Sequence, residues 1–218
     1  YRTYPNLLTY EGVLGMEQGA RCKPENSNWL PFIRNAVGPM DFTPGTFDIL
    51  YENTRNSPRR KLWNCGPEVD MRVNTTLAKQ IAEWVIIYSP VQMASDLIEN
   101  YEGHPAFRFF RDFDADCDWS RALAGEPGEF VAVVRRAGEN YFLGAATDEQ
   151  PRTLSLPLDF LKPGTKYRAT IYADGPDADW KTNPTSYTIS EREVSSADTL
   201  EVAMAPGGGQ AVSFMPAI

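Results

Sequence analysis

The sequence predicts an α/β unit over residues 1–108 followed by an all-β unit, an antiparallel β-sandwich, over residues 109–218. Three observations predict it. Short apolar segments alternate with helical ones before residue 110, the helical period then disappears, and alternating strand patterns separated by turn residues fill the remainder. At 218 residues the chain has core enough for one large domain or two small ones, and 42% hydrophobic with 12% aromatic residues argues against disorder.

In the first unit, Trp29 to Ala36 reads as a short helix capped by Asn28, with Pro31 in its first turn and Gly38-Pro39 as its stop. Met40 to Thr43, bounded by Pro39 and Pro44-Gly45, fits a buried strand followed by a turn. The clearest helix starts at Asn74 or Thr75. It carries Leu77, Ile81, Trp84, Val85 and Tyr88 on one face and ends at Ser89-Pro90. Val91 to Ala94 reads as a short strand, and Pro105 opens a helix bearing Phe107 and Phe110. That alternation suits an α/β barrel or a doubly wound sheet.

In the second unit, Phe130 to Val134 is rich in β-formers. It turns at Ala137-Gly138 and is expected to pair with Tyr141 to Ala145 as a hairpin. Leu154, Leu156 and Leu158 alternate with Ser155 and Pro157, and the proline points to an edge strand. Tyr167 to Ala173, Leu200 to Met204 and Gln210 to Phe214 supply further strands, with turns at Pro163-Gly164 and Gly207-Gly208-Gly209.

A net charge of -8 argues against a nucleic-acid partner, whose phosphates are held by clustered Lys and Arg. No run of about 18 apolar residues is present to span a bilayer as a helix, so no membrane partner is expected. Cys22, Cys65 and Cys117 are too few and too scattered for a zinc cluster or a disulfide framework. Tyr1-Arg2-Thr3-Tyr4 begins with neither an initiator Met nor a leader, so upstream sequence is expected, and any signal peptide with it.

The chemistry centres on Glu11 and Glu17, in Tyr10-Glu11-Gly12-Val13-Leu14-Gly15-Met16-Glu17. Two glycines suit a loop at a strand end. Glycoside hydrolysis uses two carboxyl groups, one donating a proton to the leaving oxygen and the other attacking or activating water; a carboxylate also binds a hard cation such as Ca²⁺. Two solvated loop glutamates would satisfy the same spacing.

The surrounding residues narrow the choice. Arg2 to Thr9, then Glu11-Gly12-Val13, Gly15 and Glu17, closely resemble the catalytic domain of glycoside hydrolase family 97, α-glucosidases and α-galactosidases built on a (β/α)₈ barrel. Gly38 to Gly45 and Ser89 to Asp96 resemble that family's last two barrel strands. Gly125 to Glu129, Tyr172 to Asp179 and Ala205 to Gly209 resemble its C-terminal β-domain. The resemblance implies that residues 1–108 are the last part of a (β/α)₈ TIM barrel. It implies Glu17 as the general acid and Glu11 as a ligand of an active-site Ca²⁺, with oligosaccharide as substrate. The remaining catalytic carboxylates would lie upstream of Tyr1, in a missing N-terminal part of the same enzyme. Inversion or retention is then unreadable, and the chain alone is expected to be inactive. A homo-oligomer through the β-domain and a periplasmic or extracellular parent enzyme are further implications. Two positions depart from the pattern: Leu14 stands where many members carry arginine, and Lys79 where histidine is common.

Other residues invite weaker readings. His104, the sole histidine, is expected to be structural or on the surface, and Asp41, ending a barrel strand, to support the site by hydrogen bonding. Asp174, Asp177 and Asp179 lack an EF-hand pattern and read as a turn held by Asx bonds. Trp119 and Trp180 are candidates for sugar stacking, with core packing the simpler role. The competing functional reading is a non-catalytic carbohydrate-binding or oligomerisation module.

Overall fold

The structure, a computed structural model, describes residues 4, 6–16, 21–52 and 72–217. Glu17 and Cys65 lie outside the described residues.

The second unit is an antiparallel sandwich. Its larger sheet has the order β1-β2-β3-β8-β5-β6, from Trp119–Glu126, Phe130–Ala137, Asn140–Thr147, Gly209–Pro216, Tyr167–Asp174 and Tyr187–Val194. The smaller pairs β4 (Arg152–Pro157) with β7 (Thr199–Met204). The hairpin expected from Phe130 onward is β2–β3, in register from Phe130↔Thr147 to Ala137↔Asn140. The leucine alternation forms β4, where Leu154 opposes Val202 and Leu156 opposes Leu200, and Pro157 sits at the strand end.

Two strands had no sequence signal. β1 is broken by a register shift between Ala122 and Ala124, and β6 is exposed at six successive positions, so neither shows clean alternation. Both are edges of the large sheet, where a covered face is not required.

The large sheet is covered on both faces. On one side Tyr141, Leu143, Ala145, Tyr167, Val212 and Phe214 pack with Leu156, Leu200 and Val202 of the small sheet. On the other, Phe142, Ala146, Tyr172 and Ala211 pack with Leu77, Ile81 and Val85. Those last three belong to α2 (Leu77–Ile86), whose N-cap Thr76 accepts a hydrogen bond from the Lys79 amide. Gly144 permits the contact, because a Cβ there would collide with the Ala82 carbonyl oxygen and lie 2.9 Å from Val85 Cβ.

The one-sided face expected for α2 is a correction. All ten residues of the helix are buried, including Lys79, Gln80 and Glu83, while Tyr88 lies beyond its end and is exposed. The sheet covers one side of the helix and the first unit covers the other. Arg135 of β2 closes the C-terminus of α2 by donating to the Val85 and Ile86 carbonyls.

A second correction concerns the first helix. α1 runs Pro24–Ile33, not from Trp29, and a 3₁₀ turn follows at Asn35–Val37. Pro24 starts it where no N–H is needed, and Asn26 Oδ1 accepts from the Lys23 amide at 2.6 Å. Asn28, expected as the cap, is buried inside the helix. Its amide donates to the Glu129 carbonyl and its oxygen accepts from Lys79, tertiary contacts that sequence spacing does not reveal.

A further correction is that residues 40–43 and 91–94, expected as strands, form none among the described residues, and Val91 lies in a bend. They nevertheless lie beside neighbouring chain: the Met40 amide donates to the Tyr88 carbonyl and the Asp41 amide to that of Tyr10. The remaining helices are α3 (Ile98–Tyr101) and α4 (Phe107–Asp112), so α4 runs across the 108/109 boundary and the sandwich starts at Trp119.

Candidate active site

Among the described residues the surface includes two hollows of differing character. The larger, about 420 Å³, is lined by Arg168, Glu191, Arg192, Glu193, Pro216 and Ala217 on the sandwich edge. Its two carboxylates are paired locally, Glu191 to Arg108 and Glu193 to Lys166. The smaller, about 240 Å³, is lined by Glu11, Gly15, Asp41, Phe42, Thr43 and Met93. The smaller gathers two carboxylates from separate segments of the chain.

The segments are joined at the cleft. Thr43 Oγ1 accepts from the Met16 amide at 2.9 Å, and Ser95 Oγ donates to the Thr43 carbonyl at 2.7 Å. Met16 is buried, which anchors the loop one residue before Glu17. The structure thus brings Glu11 and Asp41 to one cleft, while the position of Glu17 is outside the described residues.

Behind the cleft, side chains that sequence reading passed over hold the loops. Asp96 Oδ2 accepts from the Phe47 and Asp48 amides at 2.7 and 2.8 Å, and its Oδ1 from Leu97 N and Asn100 Nδ2. Gln80 Oε1 accepts from the Gly45 and Thr46 amides. Gly45 has φ +94° and sits against Trp84 Nε1, a position closed to larger residues. Asp96 ends the Ser89–Asp96 segment already singled out; Gln80 had no signal, because its partners are 35 residues away.

Lys79 is not in the cleft. Its ammonium is fully buried and donates to the Pro24 carbonyl, Asn28 Oδ1 and the Thr147 carbonyl at 2.6, 3.2 and 2.9 Å. It therefore joins α1, α2 and the end of β3, and burial lowers its pKa. On the same helix Glu83, also buried, is raised by burial to about 7, with Lys79, Ser27 and Gln80 opposing the shift.

The weaker candidates resolve structurally. His104 Nδ1 accepts from the Ala106 amide, and its ring packs on Phe47 and Tyr187. Asp179 accepts from the Lys181 and Thr182 amides, as an Asx turn does, whereas Asp177, contrary to that expectation, accepts from the side chains of Asn183 and Ser186. Asp174 takes the Ala205 and Gly209 amides, and burial raises it to about 6. Trp119 packs on the sandwich core and Trp180 against Gly207; neither lines a hollow described above. Cys22 and Cys117 are thiols.

Residues 116–215 match the family model described as "Glycosyl-hydrolase 97 C-terminal, oligomerisation". The chain belongs to glycoside hydrolase family 97. It is 33% identical over 220 residues to a retaining α-galactosidase of Bacteroides thetaiotaomicron, covering 98% of this chain and 31% of that protein. A probable retaining α-galactosidase of Streptomyces bingchenggensis is 31% identical, over 95% of this chain and 28% of that one. Among solved structures, a family 97 enzyme from Pseudoalteromonas sp. strain K8, in complex with acarbose, superposes with a TM-score of 0.87 at 41% identity. That match covers 100% of this chain and 33% of that chain. The chain thus spans about a third of the length of these family 97 relatives.

Proposed function

We propose that this chain supplies part of the active site of an α-glycosidase that removes terminal α-linked glucose or galactose. The observation that carries the reading is the cleft, where Glu11 and Asp41 meet on two segments joined by the Asp41 amide donating to the Tyr10 carbonyl. Catalytic residues of a (β/α)₈ barrel gather from separate segments at one end of the barrel, and on this reading residues 1–108 are the last part of such a barrel.

Glu17 is the proton donor to the glycosidic oxygen, and Glu11 a ligand of Ca²⁺. The cleft suits a hard cation: Glu11 and Asp41 offer only oxygen, although no group of three or more candidate ligands occurs among the described residues. Bound there, Ca²⁺ would polarise the substrate's oxygens. Asp41 holds a sugar hydroxyl or the loop beside it. With a third of its relatives' length, the chain is assigned one proton donor and one metal ligand. The second carboxylate belongs to the portion it does not span.

Two measurements test this. Purified chain should hydrolyse neither nitrophenyl α-galactoside nor nitrophenyl α-glucoside; robust turnover abolished by Glu17→Gln would overturn the division of the site. Calorimetry should find a weak calcium site, on the order of millimolar, that Glu11→Gln removes. Calcium binding that ignores that change defeats the metal assignment.

A second role is favoured by the description of the matched family domain as oligomerisation. We infer that residues 116–215 also join copies of the protein. Light scattering should then report a multiple of 24.4 kDa, and a monomer at all accessible concentrations would exclude it.

A further inference from the structure

We propose that Arg34, assisted by Asn35, is the positioning residue of the cleft, setting the relative placement of the segments that carry Glu11 and Asp41. Arg34 follows the last residue of α1, where the helix stops. Its guanidinium binds main-chain carbonyls on two segments: Nη2 donates to Tyr10, Pro39 and Glu11 oxygens at 2.9, 3.2 and 3.3 Å, and Nη1 to Gly38 at 3.3 Å. Its plane also lies 4.4 Å from the centre of the Tyr10 ring. Asn35 Nδ2 extends the clasp by donating to the Gly38 and Tyr88 carbonyls at 3.3 and 3.2 Å.

Three segments are therefore gripped at residues 10–11, 38–39 and 88. The cleft opens beside these points, at Glu11, Asp41 to Thr43 and Met93. A planar fork of five donors can hold several carbonyls in one geometry, whereas an ammonium is a point donor. At the same level the main chain adds two amide–carbonyl contacts, Met40 to Tyr88 and Asp41 to Tyr10, while the Met16–Thr43 and Ser95–Thr43 bonds join the segments further along. Loss of the fork would let the Glu11 segment slide relative to the Asp41 segment while leaving both side chains intact. The consequence for catalysis rests on the cleft reading above; the clasp itself does not.

Hydrogen exchange by mass spectrometry on the 218-residue chain tests the clasp without any metal or sugar. In Arg34→Gln, peptides covering 6–16 and 38–44 should exchange roughly tenfold faster or more, with β2–β3 and β8 unchanged. Arg34→Lys, keeping the charge but not the fork, should recover only part of the protection. Unchanged exchange at 6–16 and 38–44, or acceleration shared equally by the sandwich strands, would overturn the proposal. Calcium titration of the same proteins keeps the two ideas apart. Calcium affinity lowered about tenfold in Arg34→Gln, with Glu11 intact, supports both. A failure of Glu11→Gln to alter calcium binding sinks the metal reading and leaves the exchange result to decide the clasp.

Discussion

Replacing Glu83 by glutamine should flatten the dependence of stability on pH. Glu83 is fully buried on α2 and its carboxyl is raised by burial from 4.5 to about 7. A folded-state value above the unfolded one means that the proton favours the native state. The stability so gained is complete below about pH 4.5 and is lost as pH rises through about 7. At 1.36 kcal/mol per pH unit, the interval between 4.5 and about 7 corresponds to about 3 kcal/mol. For a chain of this size that is roughly 6–12 °C in Tm. Thermal unfolding followed by circular dichroism between pH 5 and 8 should show wild type losing most of that amount. Glu83→Gln should lose that slope and keep the smaller contributions of Asp174, which burial also raises, to about 6, and of His104, which burial lowers and whose slope has the opposite sign. A variant whose Tm falls with pH as steeply as wild type would refute the reasoning, because Glu83 would then not be the titrating group.

Other perturbations probe the same junction. Gly144→Ala should destabilise by roughly 3 kcal/mol or more in urea titration, since the new methyl collides with the Ala82 carbonyl and must push α2 off the sheet. An unchanged midpoint would mean that α2 moves freely. Lys79→Met should cost about 2–3 kcal/mol by leaving the Pro24 and Thr147 carbonyls and Asn28 Oδ1 without their donor in a dry site. Equal or greater stability would show that the apolar chain compensates for them, as it does in some buried ion pairs.

The strands with strict alternation were legible because a face buried under a second sheet demands it: Leu154 and Leu156 oppose Val202 and Leu200 in the structure as their spacing implied. β6 was not legible, since an edge strand exposed at six successive residues has no face to encode. The start of α1 was misread because Asn28 has the chemistry of a cap, yet its amide serves Glu129 and Lys79 instead. Within the cleft, Glu11 and Asp41 were both flagged, but their meeting follows from the Met16–Thr43 and Asp41–Tyr10 contacts rather than from spacing.

By itself, the sequence determined the antiparallel sandwich, most of its strands and the family resemblance. These are local or repetitive signals: hydrophobic period, turn chemistry, short motifs in order. Tertiary structure alone decided which polar residues are buried and what they hold. Lys79, read as a departure from the family pattern, became the cation joining α1, α2 and β3. Arg34, unremarked in the sequence, became the clasp behind Glu11. The physical reason is that a buried charge or a guanidinium fork is defined by the carbonyls around it, and those come from residues distant in the chain. No local pattern records them.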